Sequence, residues 1–260
     1  MLRNTPIRSF PAAVGALALA AAAAVGACAA GPDRPAADRA GSRLPQGSEP
    51  VTLDPADFTT RIDNPYWPMK PGSRWVYRET DTEGTKERVV VTVTDKTKMI
   101  ANGIEARVVR DVVSENGKPV EITDDWYAQD AAGNIWYLGE AVRNFTDGRL
   151  ADREGSFEAG VDGAQAGVAM PANPRPGFSY RQEYYKGEAE DTGAVITVGE
   201  EQVRVPFGYF RGVLMTRDLV PTEPKVQELK FYARGVGPLL TIHTDDPGGR
   251  AVLVSYTPGA

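Results

Sequence analysis

Beyond residue 50 the apolar positions fall in short runs rich in Val, Thr, Trp and Tyr, separated by polar turn signals. Asn102-Gly103 stands between Val91-Thr92-Val93-Thr94 and the run from Ile104 to Val113, and Asn-Gly between β-rich runs predicts a hairpin. Asn116-Gly117 and Asp147-Gly148 repeat the signal. The runs Arg88 to Thr94, Glu105 to Val113 and Asp125 to Gln129 suit a pleated, half-buried surface. No segment of this body shows a helical period with caps. The expectation is an all-β fold, an antiparallel meander closing into a barrel or folding into curved sheets.

The chain also matches itself without gaps. Lys70-Pro71-Gly72 falls on Arg175-Pro176-Gly177, an offset of 105 residues. The same offset lays Trp75 on Tyr180, Val91-Thr92-Val93 on Ile196-Thr197-Val198 and Gly103 on Gly208. It also lays Val108 on Val213 and Trp126-Tyr127-Ala128 on Phe231-Tyr232-Ala233. Two similar units of five or six strands are expected, residues 51–158 and 176–260, joined by a Gly/Pro-rich stretch at 159–175. Trp126 and Phe231 are expected at equivalent inward positions, and Gly103 and Gly208 at equivalent turns that need a glycine backbone.

The first 50 residues read differently. Met1 to Phe10 carries Arg3 and Arg8 and no acid, and an apolar stretch of Ala, Leu and Val runs from Pro11 to Val25. That is the order of an export signal, and the run is shorter than the roughly 20 residues a spanning helix takes. It closes on Val25-Gly26-Ala27-Cys28, which resembles the lipobox of bacterial lipoproteins. The resemblance implies that residues 1–27 are a lipoprotein signal peptide and that Cys28 carries the lipid. Residues 28–50, poor in large apolar groups, are expected to be a flexible tether.

Cys28 is the single cysteine, so no disulfide is available and the fold must stand on its core. Loss of Arg3 and Arg8 with the signal takes the formal charge from -6 to -8. An acidic body argues against nucleic acid and against anionic headgroups as partners of its surface. Attachment to the extracytoplasmic side of a membrane would rest on the acyl chains.

Familiar catalytic motifs are missing: no G-x-S-x-G, H-E-x-x-H, C-x-x-C or P-loop occurs. His243, the sole histidine, ends a predicted strand and reads as structural. Asp124-Asp125, Asp130 and Asp245-Asp246 fall at predicted strand ends, and Asp130 to Asn134 is most simply a turn capped by its own side chains. No catalytic residue, metal site or cofactor is expected. Aromatic residues are prominent, including Tyr66-Trp67, Trp126-Tyr127, Trp136-Tyr137 and Tyr184-Tyr185. They fill a core or, with Trp67, Trp75, Trp126 and Trp136 as contacts, line a pocket for an apolar or carbohydrate ligand.

The stretches Asn64-Pro65-Tyr66-Trp67-Pro68-Met69-Lys70-Pro71-Gly72, Trp75-Val76-Tyr77 and Phe231-Tyr232-Ala233-Arg234-Gly235-Val236-Gly237-Pro238 resemble those of a family of uncharacterised secreted bacterial lipoproteins. An exported meander behind a lipobox is also similar in architecture to half-barrel lipoproteins that carry or receive lipids in the cell envelope. Three functions stay open at this point: a non-catalytic envelope interaction or scaffold module, a carrier of a lipid or other apolar ligand, and a hydrolase using carboxylates. An envelope protein or an apolar ligand would be the partner.

Overall fold

The computed structural model describes residues 44–80, 84, 86–221, 227–244 and 249–260. The expected signal peptide, Cys28, most of the expected tether and Asp245-Asp246 lie outside them. A single 3-10 turn, Pro55–Asp57, precedes β1 (Phe58–Thr59). The first long strands are β2 (Arg74–Thr80), β3 (Lys86–Met99), β4 (Glu105–Glu115), β5 (Lys118–Asp130) and β6 (Ile135–Thr146). Short strands β7 (Arg149–Asp152), β8 (Phe157–Glu158) and β9 (Gly167–Met170) follow. The second long series is β10 (Ser179–Tyr185), β11 (Ala189–Val205), β12 (Gly208–Leu219), β13 (Gln227–Ala233), β14 (Gly237–His243) and β15 (Arg250–Thr257).

All these strands are antiparallel in one sheet, with β10 to β15 in order, then β2 to β7, joined where β15 pairs with β2. The three predicted hairpins form. Asn116 and Gly117 take φ of 50° and 79°, and Asp147 and Gly148 take 53° and 73°, the left-handed pair that a two-residue turn requires. Asp124-Asp125 falls in the middle of β5, not at its end, because the β-rich run extends back to Lys118.

The two series share their pairing. In the first, the Gly72 N–H donates to Val93 O, the Val93 N–H to Ser73 O and the Ser73 N–H to Lys70 O. In the second, the Gly177 N–H donates to Val195 O, the Val195 N–H to Phe178 O and the Phe178 N–H to Arg175 O. Asp111 faces Val91 as Asp218 faces Gly193, and Asp125 faces Val109 as Lys230 faces Thr216. Tyr127 and Tyr232 take matching places on β5 and β13.

The uniform offset fails between these points. Val93 corresponds to Val195 rather than Val198, because the β10–β11 connection is shorter than the β2–β3 one and β10 carries a bulge at Arg181/Glu183. Val108 corresponds to Met215 rather than Val213, because bulges at Val195/Thr197 and Val198/Glu201 insert residues into β11. Gly103 takes φ 88°, whereas Gly208 opens β12 opposite Val205 without a positive φ, so the two glycines are not equivalent.

The sheet curls but does not close. Its ends approach around β9, which pairs with β6, while Gln165 just before it meets Tyr184 of β10 in one bridge. The stretch expected as a mere join therefore carries a strand, and all four residues of β9 are buried. Residues 44–50, expected to belong to a flexible tether, are packed against the sheet. Leu44 is buried, the Arg181 N–H donates to Pro45 O, and the Arg181 guanidinium donates to Gly47 O, Glu49 O and Ala166 O. One apolar side chain and one buried guanidinium supply enough contact to seat residues 44–50 on β10.

Inward and outward aromatics are exchanged relative to expectation. Asp125 and Tyr127 line the interior, so Trp126 between them faces the other side, with Val108 and, across the Ala128 pair, Trp136. That outer face is covered, since Phe58 packs edge-on to Trp136 at 6.1 Å and Lys98 Nζ sits 4.5 Å over Trp126. Both members of each aromatic pair are consequently buried: Trp126 and Tyr127, Phe231 and Tyr232.

Candidate functional site

At the centre of the curl is a cavity of about 60 Å³, walled by both strand series. Aromatic rings form much of its lining: Trp67, Trp75, Tyr77, Tyr127, Tyr137 and Tyr232. The polar lining is Asp111 from β4, Asp125 from β5, Gln182 and Glu183 from β10, Lys230 from β13 and Thr241 from β14.

Trp67 reaches this place on a strap between β1 and β2. The Asn64 side chain accepts from the Tyr66 N–H at 2.9 Å and donates to Gly133 O at 2.9 Å, while the Trp67 N–H donates to Asn64 O at 3.2 Å. This short polar knot aims the indole inward, between Tyr127 at 5.7 Å and Tyr232 at 6.0 Å. Gly237 lets the indole in. It takes φ 102°, and a Cβ there would stand 3.0 Å from Trp67 Cδ1.

The three stretches that carry the family resemblance meet here. Trp75 Nε1 donates to Val236 O at 2.7 Å, the Tyr77 hydroxyl donates to Pro238 O at 3.0 Å, and the Gly235 N–H donates to Pro65 O at 2.8 Å. Of the four tryptophans expected as ligand contacts, Trp67 and Trp75 line the cavity. Trp126 and Trp136 lie on the opposite face, where Trp136 Nε1 donates to Asp130. Asp130 also accepts from the N–H groups of Ala132 and Asn134, as the turn reading anticipates.

Sequence reading missed the buried acids. Glu79, Asp111, Glu121, Asp125, Glu140, Glu183, Asp191 and Asp218 are all buried. Their signal was available: within Val108-Val109-Arg110-Asp111-Val112-Val113, Asp111 keeps the phase of the buried Val109 and Val113 and therefore faces inward with them. Lys230 Nζ pairs with Asp218 at 2.7 Å and Glu228 at 3.0 Å. His243 lies between Glu228, 3.0 Å from Nδ1, and Glu79, 3.2 Å from Nε2, the latter an ion-pair contact rather than a well-directed hydrogen bond.

Burial dominates the protonation of these groups. It raises Asp125 to about 8, against a Tyr137 hydroxyl that donates to Oδ1 at 2.9 Å and favours the anion. It also raises Asp191 to about 7, and lifts Asp111, Glu140 and Glu183 well above the carboxylate range with help from neighbouring acids. Glu228 goes the other way. Burial opposes its charge, but Lys230 and His243 bring it down to about 2. Burial would likewise lower His243, yet its contacts with the carboxylates of Glu228 and Glu79 raise it to about 9.

No donor reaches Asp111 Oδ1, whereas Glu183 and Asp191 form a hydrogen-bonded carboxyl pair and Glu140 interacts with the Tyr137 hydroxyl. Buried carboxyls are costly when charged and unpaired, so these hold their protons. The cavity is far below the 300 Å³ or so of ordinary ligand pockets and gives no room to an acyl chain or a sugar ring.

A second feature lies outside this interior. At the tip of the β11–β12 hairpin Phe207 and Tyr209 are exposed, Phe207 stacks on Phe210 at 6.0 Å and meets Tyr256 edge-on at 6.3 Å. Arg204 and Arg211 stand 5.0 Å and 5.4 Å over the Tyr209 ring, whose hydroxyl donates to Gln202. The Phe207 N–H donates to Leu253 O and fixes the tip against β15.

No family model matches the chain, and no curated protein matches it in sequence. Among solved structures it is similar to a crystal structure of a "putative lipoprotein" from Parabacteroides distasonis, at 14% identity, over 74% of this chain and 97% of that one, with a TM-score of 0.38.

Proposed function

We propose that this protein is an extracytoplasmic lipoprotein, cut before Cys28 and held to the membrane by acyl chains, that works as a non-catalytic interaction module of the cell envelope. The arginine–aromatic patch at the β11–β12 tip carries this reading. Two exposed rings flanked by two guanidinium groups, on a body of net acidic charge, form the kind of anchor that dominates protein interfaces. The partner it suits is an envelope protein that offers carboxylates beside apolar side chains. The signal and the Val25-Gly26-Ala27-Cys28 sequence support export and lipidation, and a cavity of about 60 Å³ weighs against the carriage of lipid.

The test is a photo-crosslinker placed at position 209 in living cells, with and without the anchor. A discrete protein adduct that disappears in Arg204→Glu/Arg211→Glu supports the interaction module, and its absence at 209 and at 207 overturns it. Cys28→Ala should leave the protein uncleaved or move it out of the membrane fraction. Normal processing and unchanged membrane fractionation of that variant would remove the anchoring claim.

A further inference from the structure

We infer that the outer face of strands β2 to β6 is a docking surface for an anionic membrane, where Arg74, Arg78, Arg88, Arg110 and Arg143 meet the phosphate headgroups. The choice of a membrane as occupant rests on the lipid-anchor reading, while the arginine face itself lies apart from the β11–β12 tip.

The register of the sheet assembles this face. Trp75, Tyr77, Asp111 and Asp125 line the cavity, so the residues that alternate with them point outward. Directly paired residues share a face, and Arg78 stands opposite Arg88. Arg74, Thr92, Arg110 and Asp124 form a second row across β2 to β5. Between the two lies an apolar row, Val76, Val90, Val112 and Ile122, which ends at Arg143 on β6. Among the described residues Asp124 is the one acid in these rows, bound to Arg110 at 2.7 Å and to Arg143 at 2.9 Å. Five guanidinium groups less one carboxylate leave a charge of +4.

Arg78 and Arg88 are exposed, Arg74 is half-buried, and none of the three meets an acid among the described residues. Two like charges directly opposite on neighbouring strands, with Cβ atoms about 5 Å apart, oppose the pairing of β2 with β3. An external anion turns that repulsion into attraction. The net acidic charge, which by itself argues against anionic headgroups, does not describe this face. Part of it is counted on carboxyls of the same strands that point inward, Asp111, Asp125 and Glu140, and burial keeps protons on them.

The length of chain before the sheet brings a membrane within reach. Only the 15 residues from Ala29 to Arg43 separate Cys28 from Leu44, which is packed in the core. Even fully extended they span only about 50 Å. A body held that near a lipid surface repeatedly enters the layer of about 8 Å in which anionic headgroups attract cations at physiological salt.

The experiment uses the chain from Ala29 onward without acyl groups, which keeps every described residue and makes binding report on the face alone. It is sedimented at neutral pH with vesicles of phosphatidylcholine, with and without phosphatidylglycerol, at low and at high salt. Binding is expected only where phosphatidylglycerol is present, and high salt should abolish it. An arginine near an anionic surface is worth about fivefold in affinity, so Arg78→Glu/Arg88→Glu should weaken binding at least about tenfold. Arg78→Lys/Arg88→Lys should hold it within about twofold, because the surface potential acts on charge rather than on the shape of the cation. Arg78→Glu alone should raise the melting temperature, since it turns a repulsive cross-strand pair into an attractive one, and that separates lost binding from lost folding. No sedimentation with phosphatidylglycerol vesicles overturns the proposal, as does binding indifferent to the glutamate pair. An equal loss in Arg204→Glu/Arg211→Glu would move the contact to the hairpin tip and overturn it too. Soluble polyphosphate held at these arginines more tightly than vesicles would make a polymer, not a membrane, the occupant. Failure of the anchor reading shows separately, in the fractionation of Cys28→Ala.

Discussion

Tyr127 and Tyr232, 105 residues apart, hold matching positions on β5 and β13 and press on the same indole, Trp67, at 5.7 Å and 6.0 Å. One strap thus ties the two strand series together at the middle of the curl. Tyr127→Ala and Tyr232→Ala should each cost about 3 to 5 kcal/mol, by loss of a buried ring and the void it leaves. Denaturant unfolding followed by tryptophan fluorescence measures both. A large effect at one tyrosine and almost none at the other would show that the strap leans on a single series.

The matching positions also hold a difference. Asp125 on β5 corresponds to Lys230 on β13, and only the lysine has acids paired to it. Lys230→Met would leave Asp218 and Glu228 without their ammonium and should cost about 3 to 5 kcal/mol. Asp125→Asn should be mildly stabilising at pH 5, where the unfolded acid has ionised and the native one has not, and more strongly stabilising at pH 8. Thermal unfolding of both variants at the two pH values tests this, and an Asp125→Asn that destabilises equally at pH 5 and pH 8 contradicts it.

Stability of the parent protein should peak in mildly acid solution. Asp125 and Asp191 rise from 3.8 to about 8 and about 7, so the native state holds protons the unfolded chain has lost, and stability falls as pH climbs through that window. His243 rises from 6.5 to about 9 and adds a loss between those values. Glu228 falls from 4.5 to about 2, so its contribution disappears as pH drops through that range. The melting temperature should therefore be highest near pH 3.5 to 4 and decline steadily toward pH 9. A maximum at or above pH 8 would mean that the buried carboxyls are ionised and solvated.

Gly167 sits where β9 approaches β10. A Cβ there would stand 2.0 Å from Gln182 O and 2.2 Å from its carbonyl carbon, both backbone atoms that cannot turn aside. Gly167→Ala should cost at least the 1 to 3 kcal/mol or so typical of overpacking. Gly208→Ala, facing only the Phe210 ring at 3.3 Å and lacking a positive φ, should cost far less. Chemical denaturation of the two variants side by side gives the comparison. Equal tolerance would show that the seam is loose.

Arg181→Leu should free residues 44–50 from β10, because the guanidinium holds Gly47 O, Glu49 O and Ala166 O in one grip. Limited proteolysis should then cut near Gly47 far faster than in the parent, while the sheet persists by circular dichroism. Unchanged resistance would assign the anchoring to Leu44 and Gln46 alone.

The sequence by itself determined the strands, the hairpins and the likeness of the two series, because β-propensity and the left-handed demands of Asn-Gly and Asp-Gly are local properties. It also placed Trp67 and Trp75 among candidate contacts, and both line the cavity. Tertiary structure decided which member of Trp126-Tyr127 faces inward, since period-two alternation names two faces without saying which is the interior, and here the outer face is covered as well. Only the curl of the sheet brought Asp111, Asp125 and Glu183 to one point. Asp111 and Asp125 lie on the neighbouring β4 and β5, but Glu183 lies on β10 at the far end of the strand order, and its approach is set by how far the sheet bends, a sum of twists and bulges such as those in β11 that no single segment encodes.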